Sequence, residues 1–143
     1  MTVKEYLTQG YYLDKRINSA LREVTSLRRL ALSISSPGFE EHYNPNRPKE
    51  AAFARILEKI WVQENAINDE IDRLIELKRE ISHTIDQLDD VTEQMVLRFR
   101  YVNFMKWDEV AEAMDLQTRQ LFKIHRRALK KLKNWEVKDS KVQ

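Results

Sequence analysis

Apolar positions recur at helical spacing along most of the chain. From the N-terminus, Tyr6, Gly10, Leu13, Ile17, Ala20, Val24, Leu27, Ala31 and Ile34 follow one another in steps of four and three. That alternation puts them on one seam of a helix, the heptad pattern of paired helices. Thr2 and Glu5 have the spacing of a capping box and predict its start. Gly10 is a weak point in the seam, costing about 1 kcal/mol relative to Ala.

A second seam predicts a helix from about Glu50 to Leu88. It comprises Phe53, Leu57, Ile60, Glu64, Ile67, Ile71, Leu74, Lys78, Ile81, Ile85 and Leu88, with Glu64 and Lys78 as polar interruptions. At 1.5 Å rise per residue such a helix is roughly 55–60 Å long, and one helix cannot bury that stripe alone. The simplest partner is the first helix folded back as an antiparallel hairpin. The other is a second chain. The longer helix outruns the shorter, which favours a hairpin plus a homodimer through the long helices. Between the seams, residues 35–49 (SSPGFEEHYNPNRPK) hold three Pro, one Gly and two Asn. They cannot continue a helix and predict a flexible linker that lets the chain reverse.

Beyond Leu88 the elements shorten. Asp90 and Glu93 predict the cap of a third helix, Val91 to about Tyr101, with Met95, Val96, Phe99 and Val102 on its packed side. A fourth helix, Trp107 to Met114, carries Asp108 and Glu109 in its first turn, where they suit the helix dipole. The turn is Asp115-Leu116-Gln117, and Asp tolerates the left-handed conformation such a turn needs. A fifth helix, Thr118 to about Lys133, buries Leu121, Ile124, Ala128 and Leu132. From Gln117 to Lys133 it has seven Lys or Arg and no acid. Residues 135–143 form a tail with little to bury and are expected to fray. The chain thus reads as all-α. A coiled-coil-like helical hairpin occupies residues 1–88, and a C-terminal helix-turn-helix domain occupies residues 89–134.

Charge sharpens this picture. The net of +2 conceals +3 over residues 1–49, −6 over 50–90 and +5 over 91–143. Positive charge gathers where the helix-turn-helix pattern lies, as an anionic partner requires. In that motif the second helix enters the major groove of double-stranded DNA and its flank neutralises phosphates.

Enzyme signatures are missing. Two Gly cannot build a P-loop or a dinucleotide fingerprint, and there is no HExxH or nucleophile elbow. With no Cys, and with His42, His83 and His125 at no metal-ligand spacing, no metal or cofactor is expected. His125 reads as a satisfied or exposed helix histidine and not as a metal ligand. Trp107 reads as a core or rim residue, and Trp61 and the Tyr11-Tyr12 pair as packing groups. No run of 18 apolar residues predicts a membrane span, and MTVKEYLTQGYYLDK lacks a signal-peptide core. The expected location is the bacterial cytoplasm.

Leu97 to Tyr101, Glu109 to Ala111, Leu116 to Lys123 and Arg127 to Leu132 resemble region four of the primary sigma factors of bacterial RNA polymerase. The whole chain, beginning YLTQGYYLDKRINSALREV, is also similar to small sigma-like proteins from phages and prophages of Gram-positive bacteria. The resemblance implies a transcription regulator that acts beside bacterial RNA polymerase on late genes. It implies Thr118, Arg119, Gln120, Phe122 and Lys123 as base-contacting residues. Arg126, Arg127, Lys130 and Lys131 are expected at phosphates. Gln117 stands where region four often has a Ser or Thr cap, and Phe122 replaces a residue that is often polar. Nothing here resembles the sigma region that melts the −10 element, so an activator or accessory role fits better than a complete sigma factor. The rival reading is an assembly protein such as a small terminase subunit, which also joins a DNA-binding module to a coiled coil.

Overall fold

The computed structural model describes residues 1–35 and 47–142. Among them every element is helical: α1 (Val3–Ile34), α2 (Arg47–Ile85), α3 (Val91–Leu97), α4 (Trp107–Met114) and α5 (Thr118–Val142). No strand occurs among the described residues. The linker expected at 35–49 falls, from residue 36 to residue 46, outside the described residues. α2 begins at Arg47 and not near Glu50, because Pro48 sits in the first turn, where its missing N–H is not needed. α5 continues past Lys133 to Val142; the tail contains no Pro or Gly to stop it.

Contacts divide the chain into two units, Asp14–Arg73 and Met1–Leu13 with Leu74–Gln143. The boundary between these units crosses α1 and α2.

In the unit Asp14–Arg73, α1 and α2 run antiparallel. Arg16 Nη2 lies 3.0 Å from Glu70 Oε1, while further along α1 the Glu23 carboxylate accepts from Gln63 at 2.6 Å. Pairing partners thus descend in number on one helix as they ascend on the other. Leu13, at the boundary, and Ile17, Val24 and Ala31 of the α1 seam are buried, as are Ile60 and Ile67 of α2. Glu64, one of the polar interruptions, pairs with Arg28. Two expectations fail here. Leu57 is about half exposed and Ile56 is buried in its place, and Trp61 is 66% exposed. A straight α-helix drifts against a strict seven-residue repeat, so a seam read over many turns slips sideways by a residue.

In the other unit, the Thr2–Glu5 capping box forms: Thr2 N–H donates to Glu5 at 2.9 Å, and Glu5 N–H donates to the Thr2 hydroxyl at 3.1 Å. α3 lies between two apolar clusters. On one side Leu97 and Tyr101 join Leu7, Ile81, Ile85, Leu88, Ala128 and Leu132. On the other Val96 joins Val110 and Leu121. The end of the α2 seam is thus buried by α1, α3 and α5 of the same chain. Ile81, Ile85 and Leu88 are covered within one chain.

After Leu97 the helix widens into a π-helical turn, Arg98–Val102, closed by Asn103 N–H donating to Arg98 O at 3.0 Å. Phe104 follows at φ 58°, an uncommon conformation for an aromatic residue. It is held by what surrounds it. Its ring lies 3.4 Å from where a Cβ on Gly10 would be, and Lys78 Nζ sits 4.7 Å from its centroid. Gly10 is therefore a contact point for Phe104, and Lys78 covers that ring instead of filling the seam.

Candidate nucleic-acid interface

α4 and α5 meet at the turn expected from the sequence. Asp115 takes the left-handed conformation, φ 53° and ψ 47°. Leu116 N–H donates to Ala111 O at 2.9 Å, a bond that closes the C-terminus of α4. Leu121 N–H then donates to Gln117 O at 3.0 Å and opens α5. The apolar face of α5 is Leu121, Ala128 and Leu132, all fully or nearly buried, with His125 beside them and Ile124 half-buried.

The opposite face of α5 is basic. Arg119, Lys123, Arg126, Lys130 and Lys133 follow in steps of four and three and are all exposed. At about 100° per residue this confines them to one stripe, roughly opposite the buried face. Among the described residues, Arg119, Lys123, Arg126 and Lys130 have no acidic partner within ion-pair distance. Thr118 and Gln120 are exposed on either side of the stripe's beginning. Phe122 is 38% exposed, and its ring meets Trp107 edge-on with centroids 5.3 Å apart.

Arg127 and Lys131 stand apart from this stripe. Arg127 Nε lies 2.6 Å and Lys131 Nζ 2.9 Å from Oε1 of Glu93, whose side chain is fully buried. Arg127 also lies 3.6 Å from the Asp90 carboxylate. Both cations, expected at phosphates, anchor α5 to the start of α3. Glu93 in turn does not complete a capping box. Asp90 Oδ1 accepts from Thr92 N–H and Glu93 N–H, while the Glu93 carboxylate turns inward to α5. The sequence missed this anchor. Its one trace is a pair of cations four apart in a stretch, Gln117 to Lys133, that holds no acid.

A second arrangement joins the π-helical turn to α5. The Tyr101 hydroxyl and His125 Nε2 are 2.6 Å apart, and the rings stack at 5.8 Å. Burial pulls His125 down to about 4, and Lys4 and Arg100 add to the effect. Burial pushes Tyr101 up to about 12, against the opposing pull of Arg100. At neutral pH both groups are uncharged, so one proton serves the hydrogen bond between them. His125 is thus a satisfied core histidine, the buried one of the two alternatives its sequence context left open. Trp107 packs edge-on against it at 4.6 Å, and the Arg100 guanidinium covers the indole at 4.6 Å. Arg100 Nη1 also donates to Met105 O at 2.9 Å, fixing the loop that leads into α4.

Residues 49–133 match the model of a family described as protein of unknown function, DUF1492. The chain belongs to this family. The matched stretch runs from the first turn of α2 to Lys133 and so includes the whole basic stripe. No curated protein and no solved structure matches the chain. Among the described residues no helix is long and apolar enough to cross a membrane, and no group of three or more His, Cys, Asp or Glu is placed to hold a metal ion.

Proposed function

We propose that this DUF1492 protein is a sequence-specific, DNA-binding transcription regulator. Its α4–turn–α5 segment acts as a helix-turn-helix similar to sigma region four. One observation carries the reading: the basic stripe on α5 faces away from the core, and four of its cations are spared by the described acids. Glu93 takes Arg127 and Lys131, and nothing described takes Arg119, Lys123, Arg126 or Lys130. A surface kept cationic on one helix, directly after a tight turn, suits phosphates flanking a major groove. The N-terminal residues of α5, Thr118 to Lys123, would meet base edges, and Arg126, Lys130 and Lys133 the backbone. Arg127 and Lys131 contribute field and not direct contacts.

By its resemblance to the phage and prophage proteins, the regulator acts as an activator or accessory factor beside bacterial RNA polymerase. The test is a fluorescence-anisotropy titration on duplexes selected from a random pool and on scrambled controls. Tighter binding to the selected duplex, lost in Arg119→Ala and Lys123→Ala, supports the reading. Equal binding of folded variants and wild type to both duplexes rejects it.

A further inference from the structure

Among the described side chains of α5, Phe122 is the apolar exception on the exposed side. Arg119 precedes it by one turn, Lys123 adjoins it, and Arg126 follows it by one turn. The residue is 38% exposed, and its ring is not loose. It meets Trp107 edge-on at 5.3 Å, and Trp107 is itself held by Arg100 at 4.6 Å and by His125 at 4.6 Å. A phenyl ring offers no hydrogen bond to a phosphate, nor to the nitrogen and oxygen atoms on base edges. The one apolar group that a major groove presents is the C5-methyl of thymine.

We propose that Phe122 is a specificity-determining residue that reads a thymine methyl group; this rests on the DNA-binding reading above. The surrounding cations bring the duplex to the ring, and the ring's fixed position means little side-chain freedom is lost on contact. The pairing explains why an apolar side chain stands in a basic surface, where a polar one would be better solvated.

The experiment replaces each thymine of a selected duplex, one at a time, with deoxyuridine, which lacks only the methyl. Affinities are read by anisotropy. For the wild type, one replacement should weaken binding about fourfold, the worth of one buried methyl-sized group. Phe122→Ala should bind the thymine and uracil duplexes equally. Phe122→Leu, which keeps an apolar side chain, should retain part of the preference, with circular dichroism confirming that both variants fold. Arg126→Ala should weaken binding to both duplexes and keep their ratio. Wild-type binding that is indifferent to every replacement overturns the assignment, as does an undiminished preference in folded Phe122→Ala. Those results leave DNA binding intact. Absence of wild-type binding to any duplex overturns both readings.

Discussion

Arg127 Nε sits 2.6 Å from the Glu93 carboxylate, joining a half-exposed cation on α5 to an anion on α3 that has no contact with solvent. The asymmetry of this pair sets what its loss would cost. If Glu93 is removed, Arg127 and Lys131 regain water, because each is about half exposed. If both cations are removed, a carboxylate stays buried without a partner. Glu93→Gln should therefore cost about 1–3 kcal/mol. Arg127→Ala with Lys131→Ala should cost about 3–5 kcal/mol. Urea unfolding of the two proteins gives the order; the reverse order contradicts the account.

Gly10 makes the opposite kind of prediction. A Cβ there would meet Phe104 Cε1 at 3.4 Å and Ile81 Cδ1 at 3.8 Å, ordinary contact distances. Gly10→Ala should then stabilise the protein by about 0.5–1 kcal/mol through helix propensity. Gly10→Leu should destabilise it by displacing the Phe104 ring, with a cost of about 1–3 kcal/mol. Thermal unfolding of both variants checks the pair, and a loss of stability in Gly10→Ala would show the contact to be tighter than described.

The Tyr101–His125 pair predicts how stability depends on pH. The folded state holds the His125 pKa at about 4, below the ordinary 6.5, so folding favours the neutral ring. This contribution is whole above pH 6.5 and is lost progressively as pH falls toward 4. The loss should reach on the order of 2–3 kcal/mol. Replacing the ring by His125→Gln should flatten the dependence in that window while lowering stability at neutral pH. Denaturant unfolding between pH 4 and 7.5 measures both. Equal pH slopes for variant and wild type would remove His125 as the cause.

These residues also mark where sequence reading reached and where it stopped. The bounds of α4, the left-handed Asp115, the start of α5 at Thr118 and its buried Leu121, Ala128 and Leu132 were legible. Each follows from spacing or from one residue's local conformational preference. The Glu93 anchor was not, because its partners lie on another helix and nothing in local periodicity connects them. Leu97 and Tyr101 were missed as core for a related reason. A one-sided pattern does not describe α3, which is packed from two sides, and the π-helical turn after Leu97 breaks the 3.6-residue spacing. Leu7 lay off the Tyr6–Gly10 seam and is fully buried because it faces the cluster formed with α3 and α5.

Leu121→Asp separates the fold of the motif from its surface. Leu121 is fully buried with Val96 and Val110, so a carboxylate there would be an unpaired buried charge. Loss of both the folded α4–α5 signal by circular dichroism and duplex binding is expected. A folded, DNA-binding Leu121→Asp protein would place this side chain outside the core.

The basic stripe itself is tested most directly by the salt dependence of duplex binding. Arg119, Lys123, Arg126, Lys130 and Lys133 should release about four to five counterions, giving a log–log slope near −4 to −5 between 50 and 200 mM salt. Arg126→Ala and Lys130→Ala should each flatten that slope by about one unit and weaken selected and scrambled duplexes alike. Wild-type binding that ignores salt, or no binding at 50 mM salt, would contradict the account.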